Sequence, residues 1–190
     1  MTAPDRMATI LFVCTGNICR SPYMQHSLHA MLTDQRRTDV SIVSAGTHAV
    51  EGHAMATPLA RRLHDRGIDA SGFRASTLRS ETIDNASLVV TATREHRRLV
   101  VGRRHDAAER TFTLAQLARL LRSSPENAAV PASVPDLVHR ALTARGRSGG
   151  GASDDDLDDP WRRSQRTYRR VADRIDELLI PIAAGLVAGS

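Results

Sequence analysis

Apolar residues along this chain fall into short continuous runs separated by longer stretches with helical spacing. "ATILFVC" (Ala8 to Cys14) is an unbroken apolar run of β-forming residues that ends in a Gly/Asn turn, which predicts a strand buried on both faces. From Cys19 to about Leu32 the spacing changes: Tyr23, Met24, Leu28, Met31 and Leu32 make one apolar stripe of a helix, with Pro22 in its first turn, where no amide donor is needed. "VSIVSAG" (Val40 to Gly46) predicts a second strand. "AMATPLARRLHDRGI" (Ala54 to Ile68) predicts a second helix stopped by Gly67. "ASLVVTAT" (Ala86 to Thr93) is a third strand, followed by a helix to about Val101. "RTFTL" (Arg110 to Leu114) is a fourth strand, with "AQLARLLR" continuing as helix. Strand and helix alternate at the spacing of βαβ units. The expected fold is therefore α/β: a four-stranded parallel sheet with helices on both faces and right-handed crossovers.

The rhythm breaks between Ser123 and Asp158. "SSPENAAVPASVP" reads as loop, "DLVHRALTARGR" as a short helix, and "SGGGASDDDLDD" as a flexible and then acidic linker. Residues 1–190 are thus expected to form a single domain with an insertion at about 123–157, and a last helix running from about Trp161 to Leu179. The apolar tail "LLIPIAAGLVAG" is too short for a membrane span and reads as the buried end of that helix.

Composition narrows the function classes. Two cysteines cannot form a disulfide framework, and a cytoplasmic protein with reduced thiols is expected. The net charge is +5 and all 26 basic residues are arginine. With aromatics at only 3% there is little to stack on bases, so no nucleic-acid partner is expected, and no membrane partner either. The eight histidines are dispersed and offer no metal-ligand cluster; His26 and His29 on the first helix read as surface or packing residues. Neither a metal nor a cofactor is expected.

Both cysteines lie in "VCTGNICRSP" (Val13 to Pro22), between the first strand and the first helix. A loop in that place, at the carboxyl edge of a parallel sheet, binds anions through inward amides and the helix N-terminus. Gly16 permits a left-handed backbone and Asn17 tolerates one. A nucleotide-type loop would need a second glycine and a lysine, and neither is present. Cys14 and Arg20, six residues apart, supply a nucleophile and a two-pronged phosphate clamp, and Ser21 can donate a hydroxyl to the sulfur. A Cys-x5-Arg spacing alone is weakly specific in an arginine-rich chain; the strand before it, Gly16-Asn17, Arg20-Ser21 and the helix start at Pro22 make it informative. Cleaving a phosphate ester also needs a proton donor for the leaving oxygen. Asp159 is the candidate, since it precedes the rigid Pro160 and the aromatic Trp161, whereas Asp154 to Asp158 read as a solvated linker.

Taken together these residues resemble the low-molecular-weight protein tyrosine phosphatase family. Its loop, C-x-G-N-x-C-R-S, is matched by Cys14, Gly16, Asn17, Cys19, Arg20 and Ser21; its Asp-Pro-aromatic motif by Asp159, Pro160 and Trp161; and "SAGT" (Ser44 to Thr47) is similar as well. The likeness runs from Ala8 to about Leu179, apart from the insertion. It implies hydrolysis of phosphotyrosine through a phosphocysteine on Cys14, with Arg20 as clamp and Asp159 as acid and then base. Thr15, Gly16, Asn17, Ile18, Cys19, Ser21 and Trp161 would surround the substrate, and inorganic phosphate would be the product. The implied partner is a phosphotyrosine protein, such as a bacterial tyrosine kinase, and the implied state is a monomer. It further implies that peroxide could join Cys14 to Cys19.

The chain departs from the family where an aromatic often walls the pocket ("HAVEGHAM" has none), where an Asp often follows the third strand (here Thr93), and after Trp161, where Arg162 and Arg163 stand. Three other readings share the loop. An arsenate reductase of the thioredoxin-coupled kind needs cysteines after Cys19, and none follows. A protein-arginine phosphatase tends to have threonine where this loop has Ile18. A catalytically inactive phosphoprotein-binding module would not need Cys14, Arg20 and Asp159 together.

Overall fold

A computed structural model describes residues 7–123, 133–147 and 155–187. Strands β1 (Ala8–Cys14), β2 (Val40–Gly46), β3 (Leu88–Thr91) and β4 (Thr111–Thr113) form one parallel sheet in the order β2-β1-β3-β4. Side-chain alternation along β1 explains why its run is apolar throughout. Ile10 and Phe12 enter the larger core, while Leu11 and Val13 enter a smaller one on the other face. The larger core is covered by α1 (Arg20–Asp34), α2 (Thr57–His64), α5 (Leu114–Arg122), α6 (Val134–Arg147) and α7 (Gln165–Leu186). The smaller is covered by α3 (Ser80–Asp84), α4 (Arg94–Arg103) and a 3-10 turn at His105–Ala107.

Several boundaries move for visible reasons. The second helix begins at Thr57, not Ala54, because the Ala56 amide is held by the Ile18 carbonyl at 2.7 Å; Gly67, at φ 75, follows it as expected. β4 stops at Thr113, whose hydroxyl accepts from the Gln116 amide and starts α5. The last helix begins at Gln165, not Trp161: Arg162 is left-handed at φ 58, and Ser164 caps the helix by accepting from the Thr167 amide. It then runs on to Leu186 through Pro181. The Glu177 carbonyl, which a proline four residues on cannot serve, accepts from Arg122 Nη2 at 3.1 Å.

The short helix expected at Asp136 is longer, Val134–Arg147, and buries Val134, Leu137, Ala141 and Ala144 in the main core. The loop reading of 124–132 and the flexible reading of 148–154 lie outside the described residues. The acidic run is not a solvated linker where it is described. Asp155 is buried against Arg119 at 3.1 Å, Asp156 pairs with Arg94 at 3.0 Å, and Asp158 pairs with Arg170 at 2.6 Å. Among the described residues no helix is long and apolar enough to cross a membrane.

Candidate active site

In this strand order, chain leaving β1 turns to one side for β2 and later crosses to the other for β3. That switch point, at the carboxyl end of β1, is where α/β sheets bind ligands. The loop Cys14 to Cys19 lies there, and its backbone is fixed from outside. The carbonyls of Cys14, Thr15, Gly16 and Ile18 accept from the amides of Thr47, His48, Val50 and Ala56 at 2.7–3.0 Å. With the carbonyls turned outward, the amides from Thr15 to Arg20 have no acceptor among the described residues. Helix α1 likewise starts without a side-chain cap or an acidic residue in its first turn. Together these donors form an anion cradle.

The left-handed residue of the loop is Asn17, at φ 52, and not Gly16. Its carboxamide is saturated: Nδ2 donates to Ser21 Oγ at 2.8 Å and to Ser44 Oγ at 2.9 Å, and Oδ1 accepts from the Ser76 amide at 2.8 Å. Ser44 Oγ donates in turn to Gln25 Oε1 at 2.6 Å. Because Ser21 Oγ accepts from Asn17, its hydroxyl proton is free for Cys14 Sγ, 3.0 Å away. A separate, steric demand for glycine falls on Gly46, where a Cβ would lie 2.5 Å from the Thr15 carbonyl oxygen.

Arg20 is buried, and its guanidinium reaches the acidic segment. Nη2 donates to Asp159 Oδ2 at 2.8 Å and Nη1 to the Leu157 carbonyl at 3.2 Å; buried Nε has no partner among the described residues. A phosphoryl oxygen would satisfy that donor. Asp159 is held in reach by its neighbours, since Leu157 N bonds the Ala92 carbonyl and Asp155, Asp156 and Asp158 grip three arginines. Its other oxygen accepts from the Trp161 amide at 3.1 Å. Trp161 is 46% exposed, so it does not anchor the last helix in the core, and its ring lies under Arg162. Ile18 is 7% exposed and packs toward Gly16. Of the residues expected at the site, Cys14 through Ser21 and Asp159 are joined by these contacts, and Trp161 adjoins through Asp159.

Sequence reasoning missed four participants. Val50, in the loop without an aromatic, is an exposed apolar side chain 3.7 Å from where a Gly16 Cβ would be. Gly46 and Ser44 could have been singled out from "SAGT". His96 had no sequence signal beyond its distance from Thr93. Its Nε2 lies 2.9 Å from Thr15 Oγ1 and its Nδ1 2.6 Å from Thr93 Oγ1, which ties the loop to the start of α4 where the family often has an Asp.

Burial, reinforced by the charge of Arg20, lowers the His96 pKa from 6.5 to about 4. Between those values the unfolded chain binds a proton that the folded chain does not. His96 therefore favours the fold above pH 6.5, and that contribution is lost as pH falls toward 4. Thermal melts of the wild type should drop across this interval, and His96→Gln should drop less; equal drops would show that His96 is not the group responsible.

Fold and loop thus define an α/β protein with an anion-binding Cys-x5-Arg loop at the sheet's switch point. A family model described as low molecular weight phosphotyrosine protein phosphatase matches residues 9–130. The chain belongs to that family, whose members are phosphoric monoester hydrolases. It is 37% identical over 132 residues to a protein-arginine-phosphatase of Geobacillus stearothermophilus, covering 70% of this chain and 84% of that protein. The solved structure of the YwlE arginine phosphatase from G. stearothermophilus superimposes with a TM-score of 0.68 at 30% identity, covering 93% of this chain and 90% of the other. A low molecular weight protein tyrosine phosphatase from T. tengcongensis gives 0.70 at 26% identity, covering 92% and 97%.

Proposed function

We propose that the protein hydrolyses phosphotyrosine in a phosphoprotein through a phosphocysteine on Cys14. The observation that carries this reading is the convergence of Cys14, Ser21, Arg20 and Asp159 at one uncapped helix start. The Cys14 thiolate attacks phosphorus; the S–P bond forms as the P–O bond to the tyrosine breaks. Arg20 and the loop amides hold the equatorial oxygens. Arg20 exchanges part of its contact with Asp159 for the phosphoryl group, and Asp159, protonated, donates to the leaving phenolate. As carboxylate, Asp159 then takes a proton from water, which attacks phosphorus, frees the thiolate and yields inorganic phosphate. Ser21, its proton directed at Cys14 Sγ, stabilises the sulfur anion in both steps. Val50 and Trp161, with the exposed edge of Ile18, are apolar surfaces that the ring could meet.

A second reading has a specific support: the 37% identical relative is a protein-arginine-phosphatase. Ile18 weighs against it, because a branched apolar side chain in the loop suits an aromatic ring, whereas a threonine would offer a polar contact to a guanidinium. Peptides differing only in phosphotyrosine or phosphoarginine decide between them. Wild type should turn over phosphotyrosine faster, and Ile18→Thr should erode the preference. A wild-type preference for phosphoarginine would overturn the tyrosine assignment while leaving the roles of Cys14, Arg20 and Asp159 in place.

Redox sensitivity is part of the same proposal. Peroxide would convert the Cys14 thiolate to a sulfenic acid, and the Cys19 thiolate would displace its hydroxyl to form a disulfide. Burial, with Cys14 and Asp159 nearby, pushes the Cys19 thiol up to about 12. Its thiolate fraction should then rise about tenfold per pH unit near neutrality, and the bridging rate with it. Peptide mapping after mild peroxide at stepped pH should show that rise, with reductant restoring activity. Inactivation without a Cys14–Cys19 bridge would reject the device.

A further inference from the structure

The arginines of this protein are mostly occupied: Arg62 and Arg66 on Asp176, Arg94 on Asp156, Arg119 on Asp155, and Arg170 on Asp158. A group beside the candidate active site is not. Arg61, Arg163, Arg166 and Arg169 are exposed, and among the described residues their side chains meet no carboxylate, carbonyl or hydroxyl. Among the same residues the Arg162 side chain lies over the Trp161 ring and likewise meets no such acceptor.

Their placement costs the free protein stability. Arg166 and Arg169 sit in the first two turns of α7, where the helix dipole is positive and no acidic residue offsets them. Arg162 and Arg163 add like charge just before that helix. Across from them, Arg61 and Arg169 line a groove of about 390 Å³ between α2 and α7, which also contains Tyr168 and one carboxylate, Asp65. The groove adjoins the loop at two points. Ala56, next to its Thr57 rim, bonds the Ile18 carbonyl, and Tyr168 lies close enough to Cys19 to influence its thiol. Trp161 and Asp159 lead into the same arginines from the other side.

Unpaired, mutually repelling cations, two of them (Arg61 and Arg169) lining a groove beside the candidate active site and three more (Arg162, Arg163 and Arg166) just before and in the first turn of α7, match an anionic partner that passes over them. We propose that this surface is a docking subsite for an acidic peptide segment, so that the preferred substrate is a phosphotyrosine flanked by aspartate and glutamate. The proposal rests on the phosphotyrosine reading above. Single exposed ion pairs are weak, but several acting together on a groove change both encounter rate and affinity, and salt screens them.

The test uses three phosphotyrosine peptides of equal length whose flanks are acidic, neutral or basic, with para-nitrophenyl phosphate as a small substrate that does not reach the groove. Wild type should show kcat/KM in the order acidic, neutral, basic, with about a tenfold or larger step from neutral to acidic at low salt, shrinking at high salt. Arg166→Glu with Arg169→Glu, and separately Arg61→Glu, should remove the acidic preference and leave para-nitrophenyl phosphate turnover unchanged in a folded protein, with the melting temperature of the α7 double variant no lower than that of wild type. Equal kcat/KM for acidic and neutral peptides, or a preference that survives the charge reversals, would overturn this subsite alone. Charge-reversal-sensitive binding to vesicles of anionic lipid, without discrimination among peptides, would also overturn it in favour of a membrane surface. Turnover of para-nitrophenyl phosphate but of none of the peptides would overturn the phosphotyrosine reading and the subsite together.

Discussion

Cys14→Ser should reduce phosphatase turnover to background while the protein remains folded. Serine keeps the shape at the end of β1, so the Ser21 and Asn17 contacts that hold the loop persist. It does not supply an anion of comparable nucleophilicity, because a hydroxyl gives up its proton far less readily than a thiol. Turnover of para-nitrophenyl phosphate, together with the far-ultraviolet spectrum and melting temperature, measures both halves of the claim. Substantial activity in a folded Cys14→Ser protein would remove Cys14 from the mechanism.

Asp159→Asn should slow turnover by about 10²–10⁴-fold, the usual contribution of a positioned acid, with larger losses for aryl phosphates whose phenols leave poorly. The neighbouring carboxylate is the control. Asp158 is engaged by Arg170 at 2.6 Å, whereas Asp159 faces Arg20 across the anion cradle. Asp158→Asn should therefore change turnover little. A large loss at Asp158 with none at Asp159 would show that the proton comes from the other carboxylate. The loss in kcat/KM, which reports formation of the phosphocysteine, should track the leaving-group pKa, whereas the loss in its hydrolysis should not; a kcat/KM loss independent of leaving group would mean that Asp159 is not the acid.

The sheet was legible in the sequence because its strands are short β-forming segments bounded by turns: β1 and β2 fall at Ala8–Cys14 and Val40–Gly46, as their residues predict. Helix starts were less legible, since they depend on partners distant in sequence. The Ala56 amide is claimed by Ile18, and the left-handed turn at Arg162 delays α7. The loop and Asp159 were legible because each is a compact motif. What fixes them was not. A run of aspartates has the composition of a linker, and only the fold supplies Arg94, Arg119 and Arg170 as partners. Likewise the bond between His96 and Thr15 spans 81 residues, and no local pattern announces it.

The central claim is a covalent phosphoryl group on Cys14, and it can be observed directly. With para-nitrophenyl phosphate, whose leaving group needs little protonation, the Asp159→Asn protein should form the phosphocysteine faster than it hydrolyses it. Acid quenching during turnover, followed by mass spectrometry of the peptide containing "CTGNICR", should find one phosphoryl group on Cys14 and none on Cys19. A pre-steady-state burst of nitrophenol with the phosphoryl group on another residue, or with no phosphorylated enzyme at all, would contradict the account.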